Sequence, residues 1–421
     1  MAAMADGPIQ LDVLIFGGGA AGLWLLDDLR RRGYQALLIE RTALGDGQTV
    51  ASQGIIHGGL KYTLDGIFNP AAEAIREMPV IWRSALAGEN DELPDLRETR
   101  VRSPFCYLWR TGSLRSRFGM IGAKLALRVR PEAMDEADWP PILRDRAGEV
   151  LRLPEQVIDA PSFIACLAQQ NRDRILHADA TAGAVSIERS DATDHDAAGV
   201  RAITLPDPHR LTLAPRFIVL TAGAGNAALR LKLGLAAENM QRRPLHMVMV
   251  REREPGQGAL PEFYGHCTDG AKTRVTITSA VDRHGRRVWQ IGGQIAEEGV
   301  GKPRDALITH AQRELSEVVR LRNADALEWS TYAVDRAEAA TAGGRRPDDA
   351  AILHDGNILT VWPTKLALAP RAAQRVLERV GMPAAPPLPP GFADSWPRPD
   401  VADPPWEKER EWIAARSAAQ V

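Results

Sequence analysis

The sequence predicts an α/β fold in which a Rossmann-type dinucleotide-binding domain carries an antiparallel-sheet domain interleaved within it. Three observations predict it: a strand–glycine turn–helix–strand unit over Leu11 to Arg41, a second apolar strand running into glycines over Phe217 to Gly225, and alternation of apolar and polar residues between Gln241 and Trp329. The first is the most specific. Leu11-Asp12-Val13-Leu14-Ile15-Phe16 reads as a strand, and Gly17-Gly18-Gly19-Ala20-Ala21-Gly22 supplies G-x-G-x-x-G. A periodic run continues to Arg32, Gly33 stops it, and Ala36-Leu37-Leu38-Ile39-Glu40 is a second strand ending in an acid. Phosphate binding needs each part. Gly17 allows the tight turn, Gly19 lets backbone approach a pyrophosphate, and Gly22 lets helix and strand pack closely. The helix opening at Ala20 and Ala21 offers unpaired N–H groups and a positive dipole end. Glu40, followed by Arg41, stands where a carboxylate takes both ribose hydroxyls, which argues against a 2′-phosphate.

The chain has 421 residues, 45% hydrophobic and 25% charged, which fits a soluble globular protein of two domains. A formal net charge of −2 gives no electrostatic case for nucleic acid as a partner. Cys106, Cys166 and Cys267 are far apart and form no C-x-x-C pair, which suits a reducing compartment, buried structural thiols and no metal site. The apolar run Val13 to Leu26 is shorter than the ~20 residues a membrane span needs, and no cationic cluster precedes it. A cytoplasmic protein without a removed leader is expected.

Glycine-rich, polar residues from Arg41 to Ser52 predict a loop, and Gln53-Gly54-Ile55-Ile56-His57-Gly58-Gly59-Leu60-Lys61-Tyr62 predicts short pieces whose glycines let backbone pass close to a flat ligand. Asn69 to Leu86 reads as a helix with Asn69 as N-cap, kinked or divided by Pro79. The basic stretch Arg110 to Arg130 reads as a cap-domain helix with a solvated face, with a membrane-surface helix as the alternative. Gln156-Val157-Ile158-Asp159 is extended and leads into a capped helix. A second helix is expected over Arg304 to Val319, and the chain returns with the strand Asn357 to Trp362 and a helix from Lys365 to Val380. Pro383 to Pro405 is proline-rich, either an ordered tail strapped across the surface or a flexible end.

Taken in this order, the motifs resemble the FAD-dependent D-amino-acid oxidase-like superfamily, and within it most closely the flavin-linked glycerol-3-phosphate dehydrogenases. His57-Gly58-Gly59-Leu60-Lys61-Tyr62 is similar to that family's His-Gly-Gly-Leu-Arg-Tyr. The strand Pro244 to Val250, Trp289-Gln290-Ile291-Gly292-Gly293, Val334-Asp335-Arg336-Ala337 and Thr360 to Leu366 match further segments in the family's order. Lys61 stands in place of an arginine, Pro363-Thr364 in place of two glycines, and the family's C-terminal helical extension has no counterpart. The resemblance implies an FAD-binding domain from 8–90, 150–235 and 350–382, a substrate domain from 91–149 and 236–349, and a tail over 383–421. It also implies cofactor contacts from Ser52, Gln53, His57, Gly58, Gly59, Val157, Ala222, Gly223, Thr364, Lys365 and Leu366.

The expected function is oxidation of a small anionic hydroxy substrate, a polyol phosphate or 2-hydroxy acid, by hydride transfer to flavin, with the electron acceptor open between a quinone and oxygen. Peripheral membrane contact has no clear signal. His246 is the candidate base, or alternatively a satisfied core histidine. Arg336 is the candidate anion anchor, helped by Lys61 and Tyr62, or alternatively a salt-bridged structural arginine. Lys365 stabilises reduced flavin, or is a surface lysine of a first helical turn. His57 packs against or bonds the flavin, or tethers it covalently. Arg242 and Arg243 are adjacent on a strand and cannot both reach one ligand. An amine or amino-acid oxidase, a nicotinamide dehydrogenase and a non-catalytic flavoprotein are the alternative functions.

Overall fold

The computed structural model describes residues 7–58, 75–112, 131–183, 185–189, 199–206, 208, 210–269 and 272–414. Two large sheets divide the chain between them. In the first, the strand order runs Ala351–Asp355, Ile358–Trp362, Leu211–Leu220, Ile9–Phe16, Ala36–Glu40, Ile175–His177. Along this order every neighbouring pair is parallel except the terminal one between Ala351–Asp355 and Ile358–Trp362, and two further strands, Val200–Leu205 and Ser186–Arg189, add on antiparallel beside Leu211–Leu220. The helix Ala20–Arg31 packs on one face through Leu23, Trp24 and Leu26, joined by Trp82 of the helix Met78–Ala87 and Phe163 of the helix Ala160–Gln170. The Trp24 and Trp82 ring centroids are 4.8 Å apart. The chain is helical at Ile75, turns at Arg76 and Glu77, and starts the helix Met78–Ala87 with Pro79 in its first turn, where a missing N–H leaves no bond unmade, so the predicted helix is divided at Pro79. The part of the predicted helix before residue 75 lies outside the described residues, as do residues 113–130 of the basic stretch.

The second sheet runs Ile413–Ala414, Leu327–Ala339, Met240–Glu252, Arg287–Gly292, Lys272–Val281, Tyr264–Asp269, Cys106–Thr111, Ala147–Leu153, Glu132–Ala133. It is antiparallel apart from one parallel pair, Tyr264–Asp269 beside Cys106–Thr111. The helix Arg304–Val318 covers one face, burying Leu307, Ile308 and Ala311 against Val248 and Val250. The other face looks toward the first sheet. Cys106, Cys166 and Cys267 are all buried and free. Among the described residues no helix is long and apolar enough to cross a membrane.

The proline-rich tail is strapped across the surface, with Ala393 and Trp396 buried against the core of the first sheet. Its start is fixed by Asp12, 1% exposed in the middle of the strand Ile9–Phe16. Asp12 Oδ1 accepts from Ala384 N–H at 2.8 Å, Ala385 N–H at 3.0 Å and Arg216 Nη1 at 2.9 Å, and Oδ2 from Gln35 N–H at 2.9 Å. Burial by itself raises an aspartate pKa, but these donors outweigh it and hold the carboxyl below its ordinary 3.8. A depressed native pKa contributes stability above the unfolded value that is lost as pH falls through the native one. Urea melts are therefore expected to show stability falling below about pH 4, with Asp12→Asn costing roughly 1–3 kcal/mol at neutral pH and flattening that acid limb. An unchanged acid limb in the variant would remove Asp12 from the account.

Candidate active site

All five parallel strands deliver their carboxyl ends to one cavity of about 860 Å³, lined by Gly17, Glu40, Ala178, Thr221 and Pro363 among others. Ligands of open α/β sheets bind at that edge, where strand order reverses about the first strand. Gly17, with φ +108°, makes the turn, and a Cβ there would lie 2.5 Å from Ala222 Cα. At Gly22 a Cβ would lie 2.0 Å from Gly17 O and 2.6 Å from Thr221 Oγ1. Gly22 therefore packs helix to strand and does not itself line the cavity, whereas Gly19, Ala20 and Ala21 do. The helix begins at Gly19 without a side-chain cap on its first N–H groups, apart from Ala20 N–H donating to Thr49 Oγ1 at 3.2 Å. Glu40 accepts from Gly18 N–H at 2.7 Å through Oε2, and from Thr42 N–H at 2.9 Å and Thr42 Oγ1 at 3.2 Å through Oε1, which leaves a lone pair on Oε2 for a hydroxyl. Arg41 is beside it in the wall.

The next stretch, Ser52 and Gln53 to His57, crosses from the first sheet to the second and is bonded onto it. Gln53 Nε2 donates to Gln290 O at 3.1 Å and Thr276 O at 3.2 Å, and Tyr332 Oη donates to Ala51 O at 2.9 Å. Burial raises the Tyr332 pKa, so its hydroxyl stays a donor. His57 lines the cavity with His266, their ring centroids 5.4 Å apart. Behind His57 is Glu155, 3% exposed, whose Oε1 accepts from Gly58 N–H at 2.6 Å and whose Oε2 is 3.3 Å from His57 Nδ1. A carboxylate only accepts, so the proton of this contact sits on Nδ1 and the ring's basic nitrogen is Nε2. Gly58 thus acts on Glu155 and does not line the cavity. His57, Glu155 and His266 have metal-ligand atoms within 4.8 Å of one another, a cluster the sequence did not disclose. Both Glu155 oxygens are already engaged by Gly58 and His57.

At the substrate-domain side, Arg336 lines the cavity, its Nε donating to Arg243 O at 3.2 Å and its Nη1 3.6 Å from Glu297 Oε1. Burial, then the charge of Arg243, lowers the Arg336 pKa, an electrostatic deficit that a bound anion relieves. Arg243 is held by Glu338 at 3.1 Å while Arg242, on the opposite face, is exposed. Ala222 and Gly223 close one edge, and Thr364, Lys365 and Leu366 another. Thr364 has φ +61°, a left-handed backbone on a residue standing where the resemblance has glycine. Lys365 precedes a 3₁₀ turn, Leu366–Leu368, and only then the helix Ala369–Val380, which corrects the expectation of a helix starting at the lysine.

Two further expectations fail. His246 does not line the cavity. Its strand neighbours Leu245 and Met247 do, and alternation puts His246 on the face of Val248 and Val250, bonded to Thr331 Oγ1 at 3.0 Å. Val157 is fully buried, pairing with Ser103 and bridging Ile55; the wall there comes from Ala178 to Thr181, after the strand Ile175–His177. The sequence held a signal for these, a short apolar strand ending in polar residues, but none for Glu155, His266 or Tyr332. Gly59, Lys61 and Tyr62 lie outside the described residues.

The cavity fits the flavin dinucleotide implied by the motifs: it runs from an uncapped helix start and a ribose-competent carboxylate to two histidines and an arginine. The family model "FAD dependent oxidoreductase" matches residues 12–358. A probable FAD-dependent oxidoreductase of Pseudomonas aeruginosa is 41% identical over 411 residues, 95% of this chain and 98% of that one. A crystal structure of an FAD-dependent oxidoreductase from that organism superposes with TM-score 0.74 at 39% identity, covering 96% and 99% of the two chains. Glycine oxidase from Geobacillus kaustophilus (TM-score 0.60, 15% identity, 91% and 98% covered) and a glycerol-3-phosphate dehydrogenase from Bacillus halodurans complexed with FAD (0.55, 16%, 94% and 67%) share the fold. The expected nearness to glycerol-3-phosphate dehydrogenases has narrow support. The mitochondrial enzyme of Arabidopsis thaliana is 41% identical over only 69 residues, 16% of this chain and 11% of that one.

Proposed function

The chain belongs to the FAD-dependent oxidoreductase family, and from that premise we propose that it oxidises a small anionic substrate at a carbon bearing a hydroxyl, a 2-hydroxy acid or polyol phosphate. The observation that carries this reading is the buried Glu155 behind cavity-lining His57. An alcohol must lose its hydroxyl proton as hydride leaves carbon, so its oxidation gains from a placed base, whereas a neutral amine needs none. FAD, when bound, supplies the hydride acceptor. Gly17, Gly19 and the start of the helix Ala20–Arg31 would hold its pyrophosphate, Glu40 its ribose, and Lys365 with Thr364 the pyrimidine end. Arg336 offers a fork to the substrate anion, with its plane set by the bond to Arg243 O. The hydroxyl proton passes to His57 Nε2, and the imidazolium so formed is stabilised by Glu155. Tyr332, Gln290 and Gln53 keep the histidine loop at a fixed distance from the sheet.

One observation favours a second reading. Glu297, with a half-exposed side chain 3.6 Å from Arg336, can take an ammonium group, as an amino-acid substrate would need. Anaerobic bleaching of the bound flavin with panels of hydroxy acids, polyol phosphates and amino acids separates the two, and reduction by amino acids alone would replace the first reading with the second. With whichever compound bleaches, Arg336→Ala is expected to raise the half-saturating concentration roughly 100-fold, since truncating one partner of a desolvated charge pair loses binding on that scale. Arg336→Lys should recover part of it, because lysine keeps the charge and loses the fork.

A further inference from the structure

One wall of the cavity comes from the last described segment of the chain, which no motif assigned to the site. Asp403, Pro405, Lys408 and Glu409 line the same cavity as Gly17 and Glu40. The segment is tied to both sheets. On the first-sheet side, Leu44 N–H donates to Asp400 O at 2.7 Å, Ala402 N–H donates to Leu44 O at 2.9 Å, and Lys408 Nζ meets Asp46 Oδ1 at 2.6 Å. Leu44 sits directly against the glycine turn, since a Cβ on Gly18 would lie 2.3 Å from its Cδ2. On the other side, Arg283 holds Glu407 at 2.5 Å and Asp403 at 3.0 Å, and Ile413 and Ala414 pair with Trp329 and Glu328 as an edge strand. Trp406 is 4% exposed against Met249, Ala280 and Val288 of the second sheet, and the Arg251 guanidinium lies 3.9 Å over the Trp412 ring.

We propose that residues 400–414 form a strap that completes the FAD site and must lift from its Leu44 side for the cofactor to enter or leave. The two sets of ties are unequal. The second-sheet side combines a buried tryptophan, a strand pairing and a cation over an aromatic face, and these hold in salt. The first-sheet side has two backbone bonds, the partly buried Val401 against the core that holds Leu44, and one ion pair whose partners are 48% and 44% exposed, which salt screens. The strap therefore opens at Leu44 and stays anchored at Trp406, and cofactor exchange is limited by that opening.

The test pins the weak side. Leu44 and Val401 face each other as a parallel bridge, and paired positions about 5 Å apart lie within disulfide reach. The Leu44→Cys, Val401→Cys variant, loaded with FAD, is mixed with excess 5-deaza-FAD, and the loss of bound FAD is followed in the visible spectrum with and without dithiothreitol. The cross-linked form is expected to exchange at least about tenfold more slowly than the same protein reduced, because local opening is the gate; the reduced form also controls for folding. Independently, Lys408→Ala should release FAD about threefold faster, the scale of one exposed ion pair, with less acceleration by added salt. Equal exchange in the cross-linked and reduced forms, or release from Lys408→Ala at the unsubstituted rate and salt dependence, would overturn the strap.

Discussion

Gly17→Ala is expected to lose FAD affinity by at least about 100-fold and to cost roughly 3 kcal/mol or more in stability. Two causes add. The backbone at Gly17 has φ +108°, where a Cβ by itself costs on the order of 1–2 kcal/mol. The new Cβ would also meet backbone, 2.5 Å from Ala222 Cα and N and 2.7 Å from Thr221 carbonyl carbon. None of these is the end of a flexible side chain, so the strand Leu211–Leu220 or the glycine turn itself has to shift. The turn is held from two directions, by Gly17 N–H donating to Ile39 O at 2.9 Å and by Thr221 Oγ1 donating to Gly17 O at 2.9 Å. Opening it drags the first N–H groups of the helix away from where a pyrophosphate lies. Gly33→Ala separates strain from clash, since Gly33 has φ +82° and a Cβ added there would meet no described atom within 4 Å. It should cost stability alone, by roughly 1 kcal/mol, with flavin titration unchanged. Should Gly17→Ala bind FAD as tightly as Gly33→Ala, the phosphate cradle has been placed at the wrong turn.

The second large effect belongs to His57 and Glu155. His57→Gln is expected to slow reduction of bound flavin by about 10²–10⁴-fold, the range for losing a placed general base. Glu155→Gln is expected to slow it by about 10–100-fold. The reason lies in the amide's chemistry. Its single acceptor oxygen can keep the bond from Gly58 N–H, which turns the NH₂ toward His57 Nδ1. Nδ1 must then accept, the ring proton moves to Nε2, and the nitrogen proposed to take the hydroxyl proton is no longer a base. Flavin content should be unchanged, and single-turnover stopped-flow reads the reduction step directly. His246→Gln is the control on the other face of the sheet and should stay within a few-fold of the parent, about the scale of a surface change. Comparable losses at His246 and His57 would return the base to the strand residue.

The sequence made the first sheet legible because its strands and turns carry local chemistry: the glycine turn, the acid ending the second strand and the run into Gly223 each state a backbone conformation. The site side chains divide along the same line. Gly19, Glu40, Gln53, Ala222 and Lys365 belong to motifs whose position in the fold is set by neighbouring residues, and the cavity includes them. Glu155 reaches His57 across 98 residues, and nothing near it in sequence marks it as a partner. His246 shows a subtler limit. Its strand is apolar on both faces, since Met247 lines the cavity while Val248 packs beneath a helix, and a strand buried on both sides has no alternation from which to read a direction. Val157 meets a related limit: a short buried strand looks the same in sequence whether it borders a ligand or only another strand.

The one parallel pair in the second sheet has a consequence for how the protein is made. Tyr107 lies beside Gly265, and the outermost strands of that sheet are contributed by Glu132–Ala133 at one margin and Ile413–Ala414 at the other. In the first sheet, the strand Leu211–Leu220 needs Ile358–Trp362 as well as Ile9–Phe16. Neither layer can therefore be completed while its early half emerges from the ribosome, and the nascent chain carries unpaired strand margins through most of its synthesis. Pairings of such long sequence separation form slowly, so yield on overexpression should respond to growth temperature and chaperone supply more than to any single substitution on the finished surface.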